Sequence, residues 1–237
     1  MNAKKLSFLL LILVAVACTN RSTSSEQDEM RHWNNVLQQI NALLLENKAR
    51  QTLDLAKQTL PEILESAEKN GTTDTLIYYA RKIFNACGNN YINTKQYKDG
   101  IDYMDSIGNH PLIREHCPHE LLSFKAGLNQ LYGNNPEAVR LAEDYLQLPV
   151  CTSANDFIRQ AEIISGVYMY SGNNLPKAIQ ILEKAIDVYR KGGNFPNMLR
   201  IMSRLGIYYH LSGEYEKAIA TNQEAIATYN EIGRAHV

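Results

Sequence analysis

Small and apolar residues return along this chain with two interlocked spacings. Ala138, Ala178 and Ala218 stand 40 residues apart, and seven residues after each come Tyr145, Ala185 and Ala225. Seven residues make about two helical turns, so each pair shares one face of a helix. Each alanine also trails, by 12 residues, a small residue: Ala126, Gly166 or Gly206. That fixed offset predicts a hairpin of two antiparallel helices that approach closely where the side chains are small. The same spacing extends backwards to Gly88 with Gly100, Met104 and Ile107, and to Leu37 with Ala49, Leu53 and Ala56. About five hairpins over residues 30–231 follow from it.

Turn chemistry falls where these hairpins need it. Pro136 and Pro176 each sit two residues before a key alanine, at the first turn of a helix, where a missing N–H costs nothing. Asn134, Asn135, Asn173 and Asn174 precede them as cap or turn residues. Gly71, the pair Gly192 and Gly193, and residues 108–118 interrupt the pattern and read as connectors. No segment reads as a strand, so the predicted class is all-α.

These residues resemble the tetratricopeptide repeat. In the first unit Trp33, Ile40, Ala49, Leu53, Ala56 and Pro61 fall in that family's order, with Leu37 where Gly or Ala is preferred. In the fifth, Gly206, Tyr209, Gly213, Tyr215, Ala218 and Ala225 fit, while Asn222 replaces a large apolar residue and Asn230 the closing proline. Gly166, Ala178, Leu182 and Ala185 match in the fourth, and the second and third units are looser. The resemblance implies a right-handed superhelical solenoid of helix-turn-helix hairpins. The 40-residue period exceeds the roughly 34 residues usual for the family and implies longer helices or turns.

The first residues follow another pattern. Lys4 and Lys5 precede an uncharged apolar run over 6–17 that ends Ala15, Val16, Ala17, Cys18. Twelve residues are too few to span a bilayer, which needs about 20, and suit the hydrophobic region of an export signal. Small residues before a cysteine resemble the bacterial lipobox, with Ala15 where Leu is most usual. That resemblance implies residues 1–17 as a signal peptide, lipid attachment at Cys18, and a location in the cell envelope facing the periplasm or the cell surface. Residues 18–29, with Ser22, Thr23, Ser24 and Ser25 in a row, read as a flexible tether. At the other end, residues 232–237, Ile-Gly-Arg-Ala-His-Val, match the in-frame translation of a sequencing adapter and read as a scar on a longer protein.

Composition removes several functions. The chain has 24 basic and 25 acidic side chains, and losing Lys4 and Lys5 with the signal leaves 22 against 25. No basic stripe offers itself to nucleic acid. Residues 108–118 and the helix start beyond them carry His110, His116, Cys117 and His119, which can ligate zinc or copper. No HExxH or paired CxxC sets their geometry, so this stretch reads as a polar surface loop with no metal. Cys87 stands at a helical packing position, and no spacing among Cys87, Cys117 and Cys151 identifies a disulfide. There is no GxSxG, no serine with a base and an orienter, and no phosphate-cradling loop. An enzyme is not expected, nor a cofactor. Of the 14 tyrosines, Tyr91, Tyr209 and Tyr215 fall on repeat packing positions.

Partner-binding candidates come from the resemblance, which points one side of each hairpin's first helix into a concave groove. They are Lys82, Asn85 and Asn89; Glu120 and Ser123; Gln160 and Tyr170; and Arg200, Ser203, Arg204 and His210. Arg200 and Arg204, one turn apart, can hold a partner's carboxylate; Asn85 and Asn89 are too many repeats away to complete a carboxylate clamp with them. The expected function is non-covalent binding of a protein or peptide by an exported, lipid-anchored scaffold. The same features also resemble the extracytoplasmic sensor halves of membrane regulators in Bacteroidota-type bacteria, in which a transmembrane helix and a transcriptional or histidine-kinase module follow the repeats.

Overall fold

The computed structural model describes residues 27–149, 154–192 and 195–235, all of whose regular structure is helical. Eleven helices follow one another among the described residues: α1 (27–45), α2 (Ala49–Asn70), α3 (Asp74–Asn93), α4 (Tyr97–Ile107), α5 (Pro111–His116), α6 (Pro118–Tyr132), α7 (Asn135–Gln147), α8 (Ala154–Tyr170), α9 (Leu175–Gly192), α10 (Phe195–Leu211) and α11 (Tyr215–Ala235). No described helix is long and apolar enough to cross a membrane. The signal segment, Cys18 and Cys151 lie outside the described residues. α1 begins within the stretch read as a tether, and α11 runs on through Ala235, into the stretch read as a scar.

Five hairpins, α1/α2, α3/α4, α6/α7, α8/α9 and α10/α11, share one turn. Asn47, Lys95, Gly133, Asn173 and Gly213 each take a positive φ, at 57°, 60°, 97°, 44° and 81°. The next residue's N–H then reaches back to a carbonyl near the end of the first helix. Lys48 donates to Leu43 at 2.9 Å, Gln96 to Tyr91 at 3.1 Å, Asn134 to Asn129 at 2.9 Å, Asn174 to Tyr168 at 2.9 Å and Glu214 to Tyr209 at 2.9 Å. This Schellman-type closure satisfies carbonyls that the first helix would leave open and reverses the chain within a few residues. Glycine adopts the left-handed conformation without strain and asparagine tolerates it, which accounts for four of the five residues found there.

The shared turn corrects the register of the first hairpin. Seven residues before the left-handed residue stand Gly88, Ala126, Gly166 and Gly206, and five after it stand Gly100, Ala138, Ala178 and Ala218. In α1/α2 these positions belong to Ile40 and Thr52, three residues beyond Leu37 and Ala49. Burial agrees: Ile40, Thr52 and, seven residues on, Thr59 are buried, whereas Leu37 and Ala49 are partly exposed. Thr52 and Thr59 fit an apolar seam because each hydroxyl donates to the carbonyl four residues back, Lys48 and Leu55, both at 2.9 Å. Pro61 does not close this repeat; it lies inside α2, which continues to Asn70.

The described chain forms two compact units, divided at Cys87 and Gly88 within α3. In the first, Trp33, Val36 and Ile40 of α1, Leu53, Leu60 and Ile63 of α2, and Leu76, Ile83 and Phe84 of α3 are buried. The Trp33 and Tyr79 rings lie 6.0 Å apart. In the second unit one continuous core runs through the last three hairpins, from Ala126 to Ala218. Gly127 admits Ile163 of α8, whose Cγ2 would stand 2.7 Å from a β-carbon there. Phe124 fills the corresponding space beside Gly88.

The stretch read as a polar loop is structured. Pro111 opens α5, and the His110 ring accepts the Leu112 N–H at 3.2 Å as its cap. Leu112, Ile113 and Cys117 are buried, and His119 Nε2 donates to the Pro149 carbonyl at 2.7 Å. Among the described residues no cluster of three or more His, Cys, Asp or Glu is placed to hold a metal ion.

Candidate functional site

Consecutive first helices of the second unit enclose an open cavity of about 260 Å3. α8 supplies its floor, because Glu162, Gly166 and Tyr170 follow at intervals of four and form one stripe. Gly127, Gln130 and Leu131 of α6 make one wall, Arg204 of α10 the other, and Ile92 near the end of α3 closes the rim. Gly166 keeps the floor low: a β-carbon there would meet only the Gln130 side-chain oxygen, 3.9 Å away. Gly88, Gly127 and Gly206 already have a neighbour's atoms in the corresponding space.

The charge beneath this cavity is buried. The Glu162 side chain is 5% exposed, and its Oε2 pairs with Arg200 Nη2 at 2.9 Å. Arg204 Nη1 donates to the Glu162 main-chain carbonyl at 3.3 Å. A carboxylate removed from water persists only when paired and hydrogen-bonded, so the Glu162 carboxylate draws Arg200 to α8. The carboxylate pairs with one guanidinium group, and the main chain of the same residue holds the other. Beside it, burial first of all raises the Tyr208 hydroxyl above its ordinary ionisation range, and nearby Arg204 opposes that rise.

A second groove, of about 470 Å3, lies between α10 and α11. Ser203, Ile207, His210, Tyr215, Ile219 and Asn222 line it, and the His210 and Tyr215 rings meet edge to face at 5.3 Å. Asn222 Oδ1 would stand 2.6 Å from a β-carbon on Gly206, so the polar residue in the large-apolar slot is matched to a glycine opposite.

The structure divides the expected partner-binding residues. Tyr170, 68% exposed, and Arg204 meet at the first cavity, and Ser203 and His210 meet at the second groove. Arg200 borders the first through Glu162, so the two arginines are not an open pair: the Glu162 carboxylate engages Arg200 and its main-chain carbonyl engages Arg204. Glu120, Ser123 and Gln160 are buried and cannot face a partner. The Ser123 hydroxyl donates to the Glu120 carbonyl at 3.1 Å, and Gln160 Oε1 accepts the Tyr145 hydroxyl at 3.1 Å. Lys82, Asn85 and Asn89 are partly exposed on α3, with Lys82 Nζ 5.8 Å from the centre of the Tyr78 ring. Tyr91 and Tyr209 are buried packing residues as expected, but Tyr215 is exposed.

Sequence reasoning missed Glu162 and Gln130. A signal for Glu162 exists: four residues before the small residue of the neighbouring hairpins stand Phe84, Leu122 and Met202, and only here an acid. A charge in an apolar register is a buried charge that needs a partner.

Comparison with known proteins agrees with this architecture. Residues 161–231 match the family model of the tetratricopeptide repeat. A single-substitution variant of a Podosopora anserina protein described as a kinesin light chain with nearly identical TPR-like repeats superposes with a TM-score of 0.55 at 12% identity, over 85% of this chain and 96% of that one. BtubC (BKLC) from P. vanneervenii superposes with a TM-score of 0.58 at 12% identity, over 77% of this chain and 74% of that one. No curated protein matches the chain. Residues 161–231 thus match the tetratricopeptide repeat, and the described chain has an all-α helical-repeat fold similar to those solved repeat structures.

Proposed function

We propose that this chain is a binding platform that holds a protein or peptide partner non-covalently over the Gly166 cavity. The observation that carries this reading is the composition of that cavity. Its lining comes from α3, α6, α8 and α10 together, it exposes Tyr170 and half-exposes Leu131, and beneath it buried Glu162 pairs with half-exposed Arg200, joining α10 to α8. Rigid elements, an accessible aromatic ring and accessible donors are what peptide recognition uses. The test is selection of random dodecapeptides displayed on phage against the purified full chain. Enrichment of peptides that no longer bind Tyr170→Ala supports the reading; no enrichment, or binding indifferent to that change, overturns it.

The platform is exported and lipid-anchored at Cys18 in a bacterial cell envelope, facing the periplasm or the surface, with the partner held near the membrane. The Lys4–Lys5 pair, the apolar run and the Ala-Val-Ala-Cys sequence support this. Cys18→Ser should abolish incorporation of labelled fatty acid and release the protein from membranes, and unchanged membrane partitioning would refute the anchor.

A second reading keeps the groove and makes the chain the extracytoplasmic sensor part of a membrane-bound transcriptional regulator or histidine kinase. The apolar side of α10 and α11 favours it, since Ile207, Leu211, Tyr215, Ile219, Ile226 and Tyr229 are exposed there and offer a seat for further helices. An apolar stretch of about 20 residues, found when the source gene is read past residue 237, would select this reading; a stop codon after a further hairpin would select the scaffold.

A further inference from the structure

Resting on the lipid-anchored reading, we propose that the turn edge of the last three hairpins lies on the bilayer and seats its tyrosines and leucines in the phospholipid headgroup layer. The three turns stand side by side. Ser171 Oγ donates to Asn135 Oδ1 at 2.8 Å, which ties the turn at Gly133 to the turn at Asn173. Lys177 pairs with Glu143, 34 residues back, and Arg190 with Glu224, 34 residues on, so the fifth hairpin follows the fourth as the fourth follows the third. Gly213 therefore turns the chain at that same edge.

Two features set this edge apart. Leu131, Tyr132, Tyr170, Leu211 and Tyr215, each within three residues of a left-handed turn residue, are 43–68% exposed. Residues 130–136 and 169–176 include no charged side chain, and the third turn has only Glu214, which Lys217 engages at 2.5 Å and Ser212 at 3.0 Å. At the connectors on the opposite edge the exposed side chains include Arg114, Glu115, Asp187, Arg190 and Lys191. Charge that makes up 21% of the chain is thus withdrawn from one edge.

That chemistry matches a lipid interface. Tyrosine settles at the membrane–water boundary, with its ring against the upper acyl carbons and its hydroxyl among the headgroups. Leucine inserts beside it, the asparagines and serines of the turns stay in the wet headgroup layer, and a charge carried deeper would be costly. Side chains that project from successive turns suit a fluid surface, which needs no shape complementarity. The lipid at Cys18 keeps the edge at high effective concentration near the bilayer, so weak contacts suffice. Leu131 and Tyr170 also border the Gly166 cavity, so the partner site opens beside the lipid.

Tryptophan quenching in vesicles tests this. The full chain, purified from the membranes of the cells that make it, is reconstituted in phosphatidylcholine carrying bromine on the upper acyl carbons. Trp33, the sole tryptophan, is buried and sets the wild-type baseline. Tyr132→Trp and Tyr215→Trp report on the turn edge, and Gln147→Trp, at the exposed end of α7, on the opposite one. Brominated lipid should remove most of the added emission at 132 and 215 and leave that at 147 unchanged, and adding Leu131→Asp with Leu211→Asp should abolish the quenching. Equal quenching at all three sites overturns the membrane edge. Blue-shifted emission at 132 and 215 without quenching also overturns it, because a second copy or another protein then covers the edge. Mass spectrometry of the same preparation reads acylation at Cys18 separately. An acylated chain without edge quenching refutes the edge and leaves the anchor standing, an unacylated chain with edge quenching refutes the anchor alone, and absence of both overturns both.

Discussion

Gly127 and Ile163 meet so closely that a β-carbon on the glycine would lie 2.7 Å from Ile163 Cγ2. That methyl is attached directly to a branched β-carbon and moves only with χ1. Gly127→Ala should therefore destabilise the protein, because overpacking costs about 1–3 kcal/mol against the roughly 0.5–1 kcal/mol that alanine returns in a helix. Gly166→Ala should do the opposite and stabilise by about 0.5–1 kcal/mol, since nothing but Gln130 stands near. Urea denaturation of both variants checks the sign of each.

Ala178 and Ala218 occupy the same register but different surroundings. Both belong to the continuous core, but Ala218 also lines the open groove between α10 and α11. Ala178→Leu should cost about 1–3 kcal/mol and Ala218→Leu clearly less, a difference that paired thermal melts can resolve.

The ion pair under the cavity should be strongly asymmetric to substitution. Arg200→Met leaves the Glu162 carboxylate buried without its side-chain partner, at about 1–3 kcal/mol. Adding Glu162→Gln should recover part of that loss. A double-mutant cycle measures the coupling, and strict additivity would show that the pair does not act as a unit.

Two groups shape the pH profile at opposite ends. Glu143 accepts two bonds from Lys177 Nζ, at 2.7 and 2.8 Å, and these, with the Tyr168 hydroxyl, hold its carboxyl below the usual value of 4.5. Its contribution is present above that usual value and is lost as pH falls through the lower folded one; at a part-exposed pair it stays below about 1 kcal/mol. Burial, and then a hydrogen bond to Glu183, raises Tyr209 above its usual 10.0. That contribution is complete below pH 10.0 and is lost as pH rises through the folded value. Lys177→Met should flatten the acid limb of a stability–pH curve and Tyr209→Phe the alkaline limb.

The later hairpins were legible because Ala126, Gly166 and Gly206 keep one 40-residue register, although of the two glycines only Gly206 has a neighbour crowding its missing β-carbon. The first was misread by three residues, since Thr52 and Thr59 present as polar in sequence while satisfying their hydroxyls within α2. The helix at Pro111–His116 hid in a stretch whose prolines and histidines resemble a loop, although Leu112 and Ile113 already mark a buried side. Of the cavity's lining, Tyr170 and Arg204 were among the candidates that the resemblance to the repeat family pointed to. Glu120, Ser123 and Gln160 were not recognisable as buried, because polar side chains that bond main chain or a neighbouring tyrosine look like surface residues in a string of letters.

Site-directed photocrosslinking tests the central claim, that the partner lies over the Gly166 cavity. Benzoylphenylalanine is placed in the full chain, in its native cells, at Tyr170 beside the cavity or at exposed Gln147 at the end of α7. The account predicts one discrete adduct from Tyr170, absent from Gln147 and lost when Gly166→Leu is added. An adduct from Gln147 alone, or a Tyr170 adduct indifferent to Gly166→Leu, would contradict it.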